Sequence, residues 1–135
     1  DTSVTGVQTC ALPIWKDTIL FSKDGSIGIA YKAESDLDCI TSGALLHLSV
    51  KKTTILPDYL ALVLNSKIVQ LQAERDSGGS IINHWRLPEI EMVLIPMLDY
   101  DIQNQISQKV QESFKLRKDS KNLINVAISW YNYLR

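Results

Sequence analysis

The chain has 135 residues, 14 of them Lys or Arg and 15 Asp or Glu, with a formal net charge of −1. Its hydrophobic fraction of 45% and charged fraction of 21% are ordinary for a globular domain. No apolar run approaches the ~18 residues that a membrane-spanning helix needs. These values indicate one modest domain and argue against membrane association.

The first 14 residues do not have the pattern of native protein. Residues 4–14, VTGVQTCALPI, show neither the period of a strand nor that of a helix. In one reading frame they back-translate to a nucleotide string that resembles a common sequencing adapter, and the single codon of Trp15 begins with the T that follows. The alternative is a native N-terminal strand. We predict that residues 1–14 are non-native and form no part of the native fold. We also predict that the native chain began upstream.

Removing this segment changes the charge and the cysteine count. Asp1 is its only charged residue and Cys10 its only cysteine, so the remainder is neutral and keeps Cys39 alone. A single cysteine fits a reducing, cytoplasmic setting, and we expect it to be a buried hydrophobe rather than a nucleophile. Residues 109–135 carry six basic and two acidic groups, so residues 15–108 have a net charge of −4. This acidic part argues against non-specific coating of DNA and leaves a local, sequence-reading site open.

Three strands are predicted in the first half of the chain. Residues 17–22 and 27–32 are rich in β-branched and aromatic side chains and flank the turn sequence KDGS, which predicts a β-hairpin. Residues 43–50 (GALLHLSV) predict a third strand. We expect the sheet to be incomplete, with an exposed apolar edge prone to association.

One helix and one further strand follow. Proline is tolerated in a first helical turn, so Pro57 opens a helix that we predict to continue to Ala73 on the three- and four-residue spacing of its apolar side chains. The polar segment SGGS at residues 77–80 ends it. Residues 90–95 predict a short buried strand, closed by Pro96. The predicted fold class is α+β: a small mixed β-sheet with a packed helix, followed by a long C-terminal helix.

The C-terminal segment, residues 99–135, predicts one long helix with a partly heptad apolar stripe. It runs without proline or glycine, which favours a helical hairpin or coiled coil. The alternative is a pair of helices broken near Asp119.

No reaction centre is apparent in the sequence. His47 lies in an alternating strand, and His84 has no ligand residue at metal-binding spacing. Asp36 and Asp38 occupy a polar loop and do not form a convincing acid–base pair. We predict no catalytic residue and no metal site.

Two polar segments are candidates for contact with DNA. FSKDGSIG (residues 21–28) and QAERDSGGSIINHW (residues 72–85) present hydroxyls, charges and exposed backbone N–H groups. Arg and Asn side chains make bidentate contacts with guanine and adenine, whereas Ser and backbone N–H groups suit phosphates. The alternative is a β-turn and a helix C-terminus with Trp85 buried as a core anchor. The candidate DNA-binding residues are Lys23, Ser26, Ser80, Asn83, His84 and Arg86.

The ordered segments DTILFSKDGSIGIAYKAE, ITSGALLHL, LPDYLALVLNSKIVQLQAERDSGGSIINHW and IEMVLIPMLDYDIQNQISQKVQESFKLRKDSKNLI resemble the DNA specificity (S) subunits of type I restriction–modification systems. The resemblance spans nearly all of residues 16–128. It assigns residues 15–98 to the C-terminal part of a target recognition domain and residues 99–135 to the conserved spacer helix, with the boundary between Ile95 and Ile106.

The resemblance implies a function without catalysis. An S subunit reads a bipartite site on double-stranded DNA through two recognition domains held apart by antiparallel helices. Two methyltransferase subunits carrying S-adenosylmethionine and a motor nuclease subunit dock on it. The S subunit itself would need no cofactor. Two alternatives stay open: the recognition region of a single-chain restriction/methyltransferase enzyme, and a helical protein–protein adaptor.

Overall fold

A computed structural model describes residues 13–78 and 81–135 and confirms the predicted α+β fold class. Within these residues the sheet has three strands, all antiparallel, in the order β2-β1-β3. The strands are β1 (Ile19–Ser22), β2 (Ala30–Lys32) and β3 (Leu45–Leu48). The helices are α1 (Pro57–Leu64), α2 (Lys67–Asp76), α3 (Leu87–Glu91) and α4 (Tyr100–Tyr133).

The central strand β1 sets the packing of the sheet. Ile19 lies opposite Lys32 on one side and Leu48 on the other. Ile19 and Phe21, two residues apart, are both fully buried, as alternation along a strand with one core face requires. The three predicted strands are therefore present with shorter bounds. The prediction of a mixed sheet is wrong for the described residues, because all strand pairs are antiparallel.

The strand predicted at residues 90–95 is wrong, because helix α3 occupies its start. Pro88 lies in the first turn, and the Glu89 carboxylate accepts a hydrogen bond from the Arg86 backbone N–H at 3.1 Å, which begins a helix. Beyond α3 the chain has no regular secondary structure and bonds to a side chain. The Gln72 amide donates to the Leu94 carbonyl and accepts from its N–H, both at 2.9 Å. This amide thus replaces a neighbouring strand.

The single helix predicted from Pro57 to Ala73 is wrong in one respect, because it is two helices that meet at Asn65. The Asn65 side chain accepts from the Ala30 N–H at 2.9 Å and donates to the Ala30 carbonyl at 2.7 Å. An asparagine amide that bonds to backbone competes with helix continuation. The polar SGGS segment does follow the last helical residue, Asp76, as predicted.

The core lies between the sheet, α1, α2 and the segment before α3. Its large, fully buried side chains include Phe21, Tyr59 and Trp85. The Phe21 and Trp85 rings are tilted, with centroids 5.6 Å apart, a favourable aromatic geometry. Ile14, at the end of the adapter-like segment, is also buried and exchanges backbone hydrogen bonds with Leu37.

Helix α4 is continuous over 34 residues, about 50 Å at 1.5 Å per residue, so the alternative break near Asp119 does not occur. From Lys115 to Arg135 every residue is exposed. The apolar side chains along this part are Leu116, Leu123, Ile124, Val126, Ile128, Trp130, Tyr131, Tyr133 and Leu134. None of the described helices is long and apolar enough to cross a membrane.

A buried amide joins α4 to the rest of the fold. Gln103 is 1% exposed. It accepts from the Leu56 N–H at 3.0 Å and donates to the carbonyls of Thr54 at 3.1 Å and Leu98 at 2.8 Å. One side chain therefore satisfies backbone groups both before α1 and at the start of α4.

A buried ion pair makes the second connection to α4. The Lys32 side chain is 4% exposed and lies 3.0 Å from the Asp58 carboxylate, with Asp17 and Glu34 each at 3.2 Å. Burial disfavours the charged amine, but the ion pairs, that with Asp58 foremost, outweigh it and raise the pKa of Lys32. Gln111 of α4 donates to Asp58 at 2.8 Å. Gln103 and Gln111 lie about 12 Å apart along the helix axis, so these contacts fix its direction.

Candidate nucleic-acid interface

The two candidate segments, 60 residues apart in sequence, meet at one end of the sheet. The Trp85 N–H donates to the Lys23 carbonyl at 2.8 Å, and the Gly25 N–H donates to the Asn83 carbonyl at 2.9 Å. These bonds flank a short antiparallel bridge between Asp24 and His84. The buried Trp85 ring anchors the second segment, so the alternative reading of this tryptophan as a core residue is confirmed. We call this paired region, residues 23–28 with residues 81–86, the loop end.

The turn from Lys23 to Gly28 is held by internal hydrogen bonds. The Ser22 hydroxyl donates to the Ser26 carbonyl at 2.5 Å and accepts from the Ile29 N–H at 2.9 Å. Gly28 has φ +75°, and an added Cβ would lie 3.0 Å from the Gln70 side-chain nitrogen. That nitrogen also donates to the Gly28 carbonyl. The turn therefore presents a fixed backbone at the loop end.

Asp24 is the centre of the loop end. One carboxylate oxygen lies 2.7 Å from the His84 Nδ1, and the other lies 2.7 Å from the Lys23 ammonium. The hydrogen bond from Lys23, then that from His84, lowers the pKa of Asp24 below its usual value. This carboxylate therefore stays ionised at neutral pH and brings two predicted site residues together.

Arg86 lies at the rim of the loop end and is engaged by Glu89. Its guanidinium bonds to the Glu89 carboxylate through two nitrogens, one of them at 3.1 Å. The pairing raises the pKa of Arg86 and lowers that of Glu89. The Arg86 side chain remains 77% exposed, and exposed ion pairs of this kind are weak. Contact with a base edge therefore requires Arg86 to exchange Glu89 for the base.

Three further candidates have different environments. Ser26 and Asn83 are exposed at the loop end, where the Asn83 carbonyl accepts from the Gly25 N–H. Ser80 lies outside the described residues. The structure thus brings Lys23, Ser26, Asn83 and His84 into one region, with Arg86 beside it.

The charges at the loop end and directly beside it are balanced rather than strongly positive. Lys23 pairs with Asp24, Arg86 with Glu89, and Arg75 with Asp76 at 2.6 Å. The hydrogen bond from Arg75 lowers the pKa of Asp76. Non-specific DNA binding depends on uncompensated positive charge. This balance argues against a surface that binds DNA by attraction to phosphates alone.

Asp24 and Glu89 were not predicted as site residues. Asp24 lies in the predicted turn, and Glu89 directly precedes the strand predicted at residues 90–95, although the three-residue spacing from Arg86 to Glu89 was a visible signal. Ile81 and Ile82 are also notable, since their exposed fractions are 105% and 58%. An exposed apolar side chain beside hydrogen-bonding groups suits the methyl group of thymine.

Other polar residues singled out in the sequence lie elsewhere. The His47 Nε2 is 2.7 Å from the Thr41 hydroxyl, and neither residue belongs to the loop end. Cys39 is exposed, so the expectation of a buried hydrophobe is wrong. It belongs to the connection between β2 and β3, in which residues 38–40 are all exposed.

Neither a protein-family model nor a curated protein sequence matches the chain. The function must therefore be argued from the residues and geometry of the loop end and of α4.

Proposed function

We propose that this chain is a sequence-specific DNA recognition module of a type I restriction–modification complex, the C-terminal part of a target recognition domain with its spacer helix. It directs methyltransferase and motor nuclease subunits to a bipartite site on double-stranded DNA in the cytoplasm. It has no catalytic role of its own, and S-adenosylmethionine belongs to the methyltransferase subunit.

The observation that carries the proposal is the convergence of the two candidate segments. The side-chain chemistry of two segments far apart in sequence predicts four DNA-binding candidates: Lys23, Ser26, Asn83 and His84. All four lie on one exposed, backbone-paired end of the domain. Their donors and acceptors are the types that read base edges and hold phosphates. The rigid turn supports a fixed geometry of contact.

A second candidate function is a helical adaptor. The observation that favours it is the exposed apolar surface of α4 beyond Lys115, which leaves nine large apolar side chains exposed. A surface of this kind marks a contact with another protein or helix. Both functions can coexist in an S subunit, where the helix serves assembly and the loop end serves recognition.

The test begins with selection of duplexes from a randomised pool by the 135-residue chain. Arg86→Ala should then weaken binding to the selected duplex by about 5- to 150-fold and leave binding to a scrambled duplex nearly unchanged, because a base contact is lost. The matched control is Lys118→Ala on α4, which should change neither. Both titrations are made at one fixed salt concentration.

The alternatives give different results in the same titrations. Equal losses on both duplexes would make Arg86 a phosphate contact. No enrichment of any sequence, together with binding to a methyltransferase subunit, would replace the recognition proposal with the adaptor.

A further inference from the structure

We infer that Asp24 is a positioning residue that holds the His84 ring so that its Nε2 atom accepts a hydrogen bond from the exocyclic amino group of adenine or cytosine. The inference rests on the proposed function and names a specific chemistry for one contact within it. It concerns the orientation and tautomer of a single ring.

The hydrogen-bonding pattern determines the tautomer of His84. An ionised carboxylate can only accept hydrogen bonds, so the Nδ1 atom 2.7 Å from Asp24 must carry the hydrogen. In the neutral imidazole the other nitrogen, Nε2, then has a free lone pair. No hydrogen bond of this atom occurs within the described residues, and the side chain is 60% exposed. In its neutral form the ring therefore presents an acceptor to a ligand.

The surrounding backbone fixes the position of the ring. Its two neighbours, Asn83 and Trp85, are both bonded to the turn through their backbones, and Trp85 is buried. The remaining freedom is rotation of the His84 side chain, which Asp24 restrains. A base contact needs such restraint, because each side chain that is ordered only on binding costs affinity.

The chemistry of an acceptor selects among the bases. In the major groove, adenine offers its N6 amino group and cytosine its N4 amino group as donors, whereas guanine and thymine present acceptors at the corresponding positions. Phosphate oxygens are acceptors as well, so a neutral His84 ring does not bind them. The adjacent Lys23 ammonium, on the second oxygen of Asp24, is the group suited to a phosphate. The Asp24 carboxylate thus positions both the His84 acceptor for a base and the Lys23 cation for a phosphate of the DNA backbone.

The first measurement determines the tautomer of His84 from the chemical shifts of its ring nitrogens. It uses the whole chain without DNA in mildly alkaline buffer. The wild-type chain should show a protonated Nδ1 and an unprotonated Nε2, and Asp24→Asn should lose that preference. The matched control is Glu112→Gln, which removes an exposed carboxylate of α4 and should leave the His84 signals unchanged. A wild-type ring with the proton on Nε2 would overturn the inference even if the variant does not fold.

The second measurement is base preference in the duplex that the wild-type chain selects from a randomised pool. His84→Ala should reduce the preference for adenine or cytosine at one position by about fivefold, the loss expected for one hydrogen bond. Asp24→Asn should reduce the same preference, and it should have no further effect when His84 is already alanine. A merely structural Asp24 would lower binding at all positions in both backgrounds, which would overturn the inference.

Failure of the inference and failure of the proposed function are distinguishable. If the wild-type chain selects no sequence, the proposed function is wrong, and so is the inference that depends on it. If it selects a sequence whose base preferences survive in His84→Ala, recognition stands and the inference is wrong. If His84→Ala weakens all duplexes equally, the ring is a phosphate contact, which also overturns it.

Discussion

Two polar networks in this molecule use similar groups in different environments. At the junction with α4, the Lys32–Asp58 ion pair and the Gln103 amide are buried, with exposed fractions of 4% and 8% for the two ion-pair side chains. At the loop end, the His84 and Arg86 side chains are 60% and 77% exposed. The Lys32, Asp58 and Gln103 side chains are held by partners within the protein, whereas the exposed side chains can exchange their partners for those of a ligand.

This difference in exposure separates residues that stabilise the fold from residues that are free to bind a ligand. Breaking a buried polar contact leaves a desolvated group without a partner, which costs free energy of folding. Breaking an exposed contact returns both groups to water at little cost. The comparison therefore predicts that substitutions in the junction network lower stability and that substitutions at the loop end alter binding.

The largest expected effect is that of Lys32→Met. The substitution leaves the buried Asp58 carboxylate without its cation and should lower the free energy of unfolding by about 3–5 kcal/mol. Denaturant unfolding measures it. The control Lys67→Met removes an exposed ion pair with Glu74 and should change stability by less than about 1 kcal/mol. Replacing Lys32 and Asp58 together by Met and Leu should recover most of the loss, and equal losses for Lys32→Met and Lys67→Met would contradict the comparison.

The next effect is that of Gln103→Leu. A leucine of similar size cannot bond to the backbone groups of Thr54, Leu56 and Leu98, so we expect a loss of about 2–3 kcal/mol. The control is Gln105→Leu, an exposed position of the same helix, with an expected change within about 0.5 kcal/mol. The distance between spin labels on β3 and on the distal part of α4 should also broaden in Gln103→Leu alone. An unchanged distance distribution would remove Gln103 from its role in fixing the helix direction.

The smallest effect is the response of the loop end to acid. The pKa of Asp24 is lowered from an ordinary value of 3.8, so its contribution to stability is present above that pH and is lost as the pH falls through the lower folded value. Asp76 and Glu89 have lowered pKa values as well. The protection factors of the Gly25 and Trp85 amides should therefore fall in acid before those of β1 do. Asp24→Asn should weaken this pH dependence. A simultaneous fall of the protection factors in both regions would show that the loop end does not open separately.

Much of the fold follows from local pattern in the sequence. The hairpin strands, the third strand and the uninterrupted α4 have side-chain periodicities that specify them without distant partners. The strand predicted at residues 90–95 and the single helix from Pro57 failed because two amides, Gln72 and Asn65, bond to remote backbone. Such contacts depend on tertiary packing, which no periodicity encodes.

The candidate site was predictable in composition but not in arrangement. The side-chain chemistry of Lys23, Asn83 and His84 makes them candidates for binding from the sequence alone. Their proximity arises from a backbone bridge between residues 60 apart. Asp24 and Glu89 were not predicted as site residues, because a carboxylate in a turn has a sufficient local explanation and the helix that contains Glu89 was not predicted.

The most direct test of the account is amide hydrogen exchange of the 135-residue chain with and without the duplex that it selects from a randomised pool. The account predicts added protection in residues 23–28 and 81–86 and unchanged exchange in α4 beyond Lys115. A scrambled duplex at the same salt concentration should give little protection anywhere. Protection confined to distal α4, or equal protection by both duplexes, would contradict the claim that the loop end reads DNA sequence.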